Sequence, residues 1–197
     1  MTFPKEYGKI NIAEQKNLPG HEVEEEILWT NLGGTVMRYH IGDKILYPMH
    51  GAGEIVDIEE KEILGEVKSY YVLKLPAGDM KIMLMADKLE EIGVRDVISE
   101  KEAKKVIDKF ALKETDDDEA NWNKRYRDNM ARIKTGDIFE VLSVTKSLVI
   151  RDIKKGLSTG ERKMLNNAKQ ILFSELMLAT EKSYDELENM LDLSCRE

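Results

Sequence analysis

Four runs in the second half of this chain read as helix capping boxes, a Ser or Asp with Glu three residues later. The runs are Ser99-Glu100-Lys101-Glu102, Asp137-Ile138-Phe139-Glu140, Ser158-Thr159-Gly160-Glu161 and Ser183-Tyr184-Asp185-Glu186. Such a pair closes a helix N-terminus, the short side chain accepting a backbone N–H and the Glu reaching back to the cap. Apolar residues follow at helical spacing, as in Ala103, Val106, Ile107 and Phe110 after Ser99. The pattern predicts a helix from Ser99 and a second from about Glu119 to Lys134, stopped near Gly136. A third should run from Asp137 to Gly156, a fourth from Ser158 through about Glu181, and a short last one from Ser183. These helices should pack as a compact bundle with Leu142, Leu148, Leu165, Ile171, Leu172 and Leu176 in its core.

Ahead of Ser99 the period is that of strands. Ile41, Ile45 and Tyr47 are separated from Ile55, Val56 and Ile58 by Pro48-Met49-His50-Gly51-Ala52-Gly53, a run dense in turn formers. Ser69-Tyr70-Tyr71-Val72-Leu73-Lys74-Leu75 is rich in β-branched and aromatic residues. Pro76-Ala77-Gly78-Asp79 turns the chain and Met80-Lys81-Ile82-Met83-Leu84 returns it. Four or five short strands in this space suggest a small Tudor- or SH3-like β-barrel. The fold class expected is therefore α+β with two domains: a small barrel over 37–96 and an all-α bundle over 97–197. Residues 1–36 differ from both, with an acidic cluster (Glu22, Glu24, Glu25, Glu26) and one apolar patch, Ile27-Leu28-Trp29. They read as a poorly ordered extension upstream of a start at Met37, or as an arm docking through Trp29.

The net charge of −8 conceals a strong asymmetry. Residues 1–121 carry 16 Lys and Arg against 26 Asp and Glu, residues 122–173 carry 12 against 5, and residues 174–197 carry 2 against 7. A basic helical body between acidic segments is a statement about partners. Inside it lies Asn121-Trp122-Asn123-Lys124-Arg125-Tyr126-Arg127, following the acidic run Glu114-Thr115-Asp116-Asp117-Asp118-Glu119. An apolar plate among cations suits insertion at a DNA base step while phosphates are gripped. The alternatives are that Trp122 is a core residue and that the basic face is simply solvated.

Catalysis finds no support. The chain has no Gly-x-x-x-x-Gly-Lys phosphate loop and no Gly-x-Ser-x-Gly elbow. His21, His40 and His50 are not spaced with carboxylates as a metal site, so neither a metal nor a cofactor is expected. One Cys, Cys195, excludes an internal disulfide framework and fits a reducing compartment. With no apolar run near membrane-spanning length and no leader pattern, a cytoplasmic protein without membrane contact is expected.

Gly42-Asp43-Lys44-Ile45-Leu46-Tyr47-Pro48-Met49-His50-Gly51-Ala52-Gly53, then Ile58-Glu59, Tyr71-Val72-Leu73 and Gly93-Val94-Arg95, resemble the CarD/CdnL family of bacterial RNA polymerase-binding regulators. The first module is similar to the polymerase interaction domain of the transcription-repair coupling factor. The likeness continues through Trp122, Arg125-Tyr126, Asn129, Gly136-Asp137, Arg151-Asp152, Gly156-Leu157-Ser158, Gly160-Glu161, Met164-Leu165 and Ala168. It spans about residues 38–180 in order, and residues 1–36 have no counterpart in it.

The resemblance implies a Tudor-like domain that binds the RNA polymerase β subunit and a helical domain that meets promoter DNA, without reading its sequence, at the upstream edge of the bubble. Trp122 would be the minor-groove wedge, with Lys124, Arg125 and Arg127 as first phosphate contacts and Arg151, Lys154, Lys155 and Lys163 behind them. Polymerase docking would fall on Lys61, Ile63, Met83 and Met85. Lys61 stands where the family commonly has a basic residue, whereas Met83 stands where some members have one, so its contact would be apolar. The expected outcome is a monomeric regulator that prolongs open complexes. The rival is an adaptor whose helical domain binds a protein, such as a sigma factor or a zinc-bound cofactor protein. A third reading is a nonspecific nucleic-acid-binding module unconnected to polymerase.

Overall fold

The computed structural model describes residues 37–76, 80–112 and 121–196. The readings of the extension and of Trp29 lie outside these residues, as do most of the turn at 76–79 and the acidic run ahead of Trp122. The first half is a five-stranded antiparallel sheet in the order β4-β3-β2-β1-β5. Its strands are β1 (Lys44–Tyr47), β2 (Gly51–Ile63), β3 (Glu66–Lys74), β4 (Lys81–Met85) and β5 (Arg95–Asp96). Period-two burial drives the pairing: Ile45, Ile55, Tyr71, Leu73 and Leu84 pack with Tyr39, Leu75 and Leu89 into the domain's own core. The β1–β2 turn is tighter than expected. It occupies only Pro48–His50 with Met49 at φ 68, and Gly51 already pairs with Tyr47. A bulge between Ile55 and Asp57 re-registers β2 against β3. This is the Tudor-like α+β layout the strand spacing suggested.

Five helices follow: α1 (Glu100–Asp108), α2 (Trp122–Lys134), α3 (Ile138–Lys155), α4 (Thr159–Ala179) and α5 (Tyr184–Arg196). Ser99 and Ser158 each form a reciprocal capping box, and Ser183 exchanges the same bonds with Glu186. Asp137 departs from the expectation. Its carboxylate caps Phe139 and Glu140, but the Glu140 side chain turns to Arg132 at 2.5 Å, an ion pair replacing the return bond. The second helix begins at Trp122, capped by Asn121, and not at Glu119. The fourth stops at Ala179, because Thr180 is extended and bonds back to Leu176. The last helix is 13 residues long and buries Leu187 and Leu191. All six leucines and isoleucines named from the sequence lie in the helical core.

The two halves share a seam. Leu46 and Ala52 of the sheet belong to the helical core. The Ala52 N–H donates to Ser174 Oγ at 2.8 Å, and Gln170 Nε2 donates to the His50 carbonyl at 3.2 Å. Gly51 is required by proximity as well as by its φ of +105, since a Cβ there would stand 2.6 Å from Ser174 Oγ. The β1–β2 turn is thus seated on α4.

Candidate nucleic-acid interface and docking edge

The N-termini of α2 and α4 come together, and Trp122 lies where they meet. The residue is 44% exposed, so it is not a core residue. One ring face is stacked on Tyr126, centroids 5.5 Å apart and planes inclined by 28°. The benzenoid edge crosses Gly160, where an added Cβ would lie 3.4 Å from Cζ2. The indole N–H donates to Ser158 Oγ at 3.1 Å. A large apolar plate is therefore held by one face and its polar edge, with the remainder open to solvent.

Ser158 is the N-cap of α4 and ties the indole to a buried carboxylate. Its hydroxyl donates to Glu161 Oε2 at 2.7 Å, and accepts from the Glu161 N–H at 3.3 Å as well as from Trp122. Glu161 in turn faces Arg125 Nη2 and Arg151 Nε, each 3.4 Å from its Oε1. Burial alone would raise the Glu161 carboxyl, but the hydroxyl and backbone N–H of Ser158, then Arg125 and Arg151, outweigh it and leave the group below its ordinary value.

The basic residues named from the sequence thus separate by environment. Lys124 and Arg127 are exposed on α2, the helix that carries the indole. Arg125 and Arg151 have side chains only 15% and 16% exposed and converge on Glu161. Lys154 and Lys155 are exposed in the last turn of α3, and Lys163 is exposed on α4. These three lie on the helices α3 and α4. Sequence reasoning missed Ser158, Gly160 and Glu161 as partners of the indole. Gly160 carried a signal, because a glycine early in a helical pattern often marks close approach.

On the sheet, the docking candidates lie on β2 and β4, with Lys61 reaching across β3 to Met83. The Lys61 ammonium lies 3.2 Å from Met83 Sδ and 3.3 Å from Glu59. Met83 and Ile63 are exposed apolar residues, and Met85 is half-buried. β4, which carries both methionines, is an edge strand and presents one unpaired row of backbone groups. Beyond them the β2–β3 hairpin ends in Leu64-Gly65, both at positive φ (56 and 84), with the Leu64 side chain wholly exposed.

The description "CarD-like/TRCF RID domain" matches residues 39–98, and "CarD, C-terminal domain" matches residues 105–192. A Bacillus subtilis (strain 168) protein named "Putative transcription factor YdeB" is 40% identical over 138 residues, which is 70% of this chain and 90% of that protein. The chain belongs to the CarD family. As a CarD-family protein it is a transcription regulator, and its sheet is a domain of the polymerase-interacting type. The CarD assignment brings no enzyme class with it. No helix among the described residues is long and apolar enough to cross a membrane, and no group of three or more His, Cys, Asp or Glu among them is arranged to hold a metal.

Proposed function

We propose that this CarD protein docks on the RNA polymerase β subunit through the β4 edge and the β2–β3 hairpin, and steadies the open promoter complex with Trp122 inserted at the upstream fork. The observation that carries the reading is the mounting of Trp122. The residue is 44% exposed, yet its indole is fixed by a stacked ring and a hydrogen bond. A solvent-facing Trp held in one orientation is preorganised for a flat apolar partner. A melted base step offers such a partner, and the unstacking that costs a few kcal/mol in duplex DNA has already occurred there. The wedge therefore favours the open form over the closed one, and only such differential affinity shifts the equilibrium. Lys124 and Arg127 supply phosphate contacts that carry no sequence information, with Lys154, Lys155 and Lys163 extending the positive field. Arg125 and Arg151 serve the field through Glu161, which shares their charge and holds them in place.

The protein works as a monomer inside the cell, associated with the nucleoid through polymerase. The experiment is the lifetime of open complexes of the cognate polymerase with wild type and with Trp122→Ala. Wild type should lengthen the lifetime and the variant should not. Equal action by both would remove the wedge from the mechanism. The adaptor reading has its own support in Ile153, Met190 and Leu193, exposed apolar residues on α3 and α5. It would gain if the helical domain captured a purified sigma factor without DNA.

A further inference from the structure

Arg95, on the short strand β5, touches the far ends of both helices that carry the indole. Its Nη1 and Nη2 meet the two oxygens of Glu175 on α4 at 2.5 and 3.0 Å. The same Nη2 donates to the carbonyl of Gly136 at 2.6 Å, just past the end of α2. Nη1 also donates to the Asp96 carbonyl at 2.8 Å, and the Ile98 N–H donates to Glu175 Oε1 at 3.1 Å, so the connection between the domains is fastened at the same point. The Glu175 side chain is 1% exposed. A carboxylate so buried is held in place by the charge opposite it. Gly136, at φ +69, lies against Leu46 and Pro48 of the docking domain.

We propose that Arg95 is a positioning residue that sets the reach between the polymerase-docking edge and Trp122. This rests on the reading of Trp122 as a wedge. The physical basis is leverage. α2 and α4 are linked at one end by Trp122 on Ser158 and Gly160 and at the other by Arg95 on Gly136 and Glu175. The distance between those ends is roughly 20 Å, at about 1.5 Å per helical residue. A tilt of about 10° at the clamp would carry the indole roughly 3–4 Å, about one base step. The planar guanidinium is suited to the task because its fork spans Glu175 and still reaches Gly136, which a lysine cannot do.

The test uses the full chain with Arg95→Lys and, separately, Glu175→Gln, which preserves side-chain shape. Spin labels at Glu60→Cys and Asp128→Cys, with Cys195→Ser, report the distance from docking sheet to wedge helix in the free protein. Wild type should give one narrow distance and both variants a broadened or displaced one, recorded well below a melting temperature that each variant lowers by a few degrees. Polymerase affinity should stay within about twofold, while the lifetime gain falls about fivefold or more, the low end of ordinary coupling between sites. An unchanged distance distribution overturns the proposal whatever the lifetime shows. So does a broadened distribution with the full lifetime gain, since reach would then not matter. Parallel loss of melting temperature, affinity and lifetime in both variants would make Arg95 a folding residue only. If Trp122→Ala retains the full gain, the wedge reading fails, and the distance measurement still decides whether Arg95 sets the geometry.

Discussion

The indole N–H of Trp122 donates to the hydroxyl of Ser158 at 3.1 Å, so the most exposed aromatic of the helical domain is anchored to the cap of the helix beside it. One hydroxyl serves both purposes. Ser158→Ala should therefore do two things that Ser158→Thr does not. It should cost about 1 kcal/mol of stability through the lost cap. It should also free the indole, seen as lower fluorescence anisotropy of Trp122 in a Trp29→Phe background. Open-complex lifetime should fall part of the way toward that of Trp122→Ala. Normal anisotropy with a full stability loss would confine Ser158 to capping.

Glu161 gives the cluster an acid limit. Its carboxyl lies below the ordinary value in the folded protein despite the opposing effect of burial, held there by Ser158, Arg125 and Arg151. A depressed folded value contributes stability above the unfolded value, about 4.3 for Glu, and that contribution disappears as pH falls through the folded value. Glu102 and Glu186, also lowered by their capping serines, are common to wild type and variant and cancel in the comparison. The stability gap between wild type and Glu161→Gln should be constant near neutrality and close below about pH 4. Urea unfolding at several pH values measures it. A gap independent of pH would mean that Glu161 is held by shape and not by charge.

The helices were legible because their signals are local. A cap and its Glu are three residues apart, and the apolar spacing behind them is set by the same turn. The basic neighbours of Trp122 left it open between an exposed plate and a core residue, and its 44% exposure decides for the first. Its mounting was not legible, because Ser158 is 36 residues away. Arg95 could be read as part of a motif, but Glu175 lies 80 residues further on and only the packed seam brings them together. For Arg125 the sequence shows the charge and not Glu161, the carboxylate 36 residues away that shares it. Lys146 is the extreme case: a lysine among apolar residues of α3, 2% exposed, whose ammonium donates to the carbonyls of Lys109 and Leu112. Its spacing places it on the buried face, and only the turn over Lys109–Leu112 after α1 explains how its charge is tolerated there.

Leu64 is unfavourable twice over where it stands. It has φ 56 in a two-residue hairpin turn and is 101% exposed. Asn before Gly is the sequence such a turn favours, and a side chain other than Asn, Asp or Gly at left-handed φ costs about 1 kcal/mol. A residue that strains the turn and wets an apolar side chain is accounted for by a partner that covers it. Leu64→Asn should leave the melting temperature equal or higher and weaken capture of polymerase several-fold. Calorimetry and a surface-binding assay on immobilised polymerase separate the two effects. Unchanged affinity would confine the docking surface to Lys61, Ile63, Met83 and Met85.

Salt dependence distinguishes cations that meet phosphate from those that serve the protein. For duplex DNA each neutralised phosphate contributes about 0.9 to the slope of log affinity against log salt. Lys124 and Arg127 are exposed on the helix that carries the indole, so Lys124→Ala and Arg127→Ala should each flatten the slope by nearly that amount, on any sequence. Arg125 is 15% exposed and shares Glu161 with Arg151. Arg125→Ala should flatten the slope by distinctly less, while lowering affinity through displacement of the Trp122 mounting. Fluorescence titrations of a forked duplex at four or five salt concentrations suffice. A full unit lost on Arg125→Ala would show that DNA draws this guanidinium away from Glu161, and that the carboxylate is a resting partner which phosphate replaces.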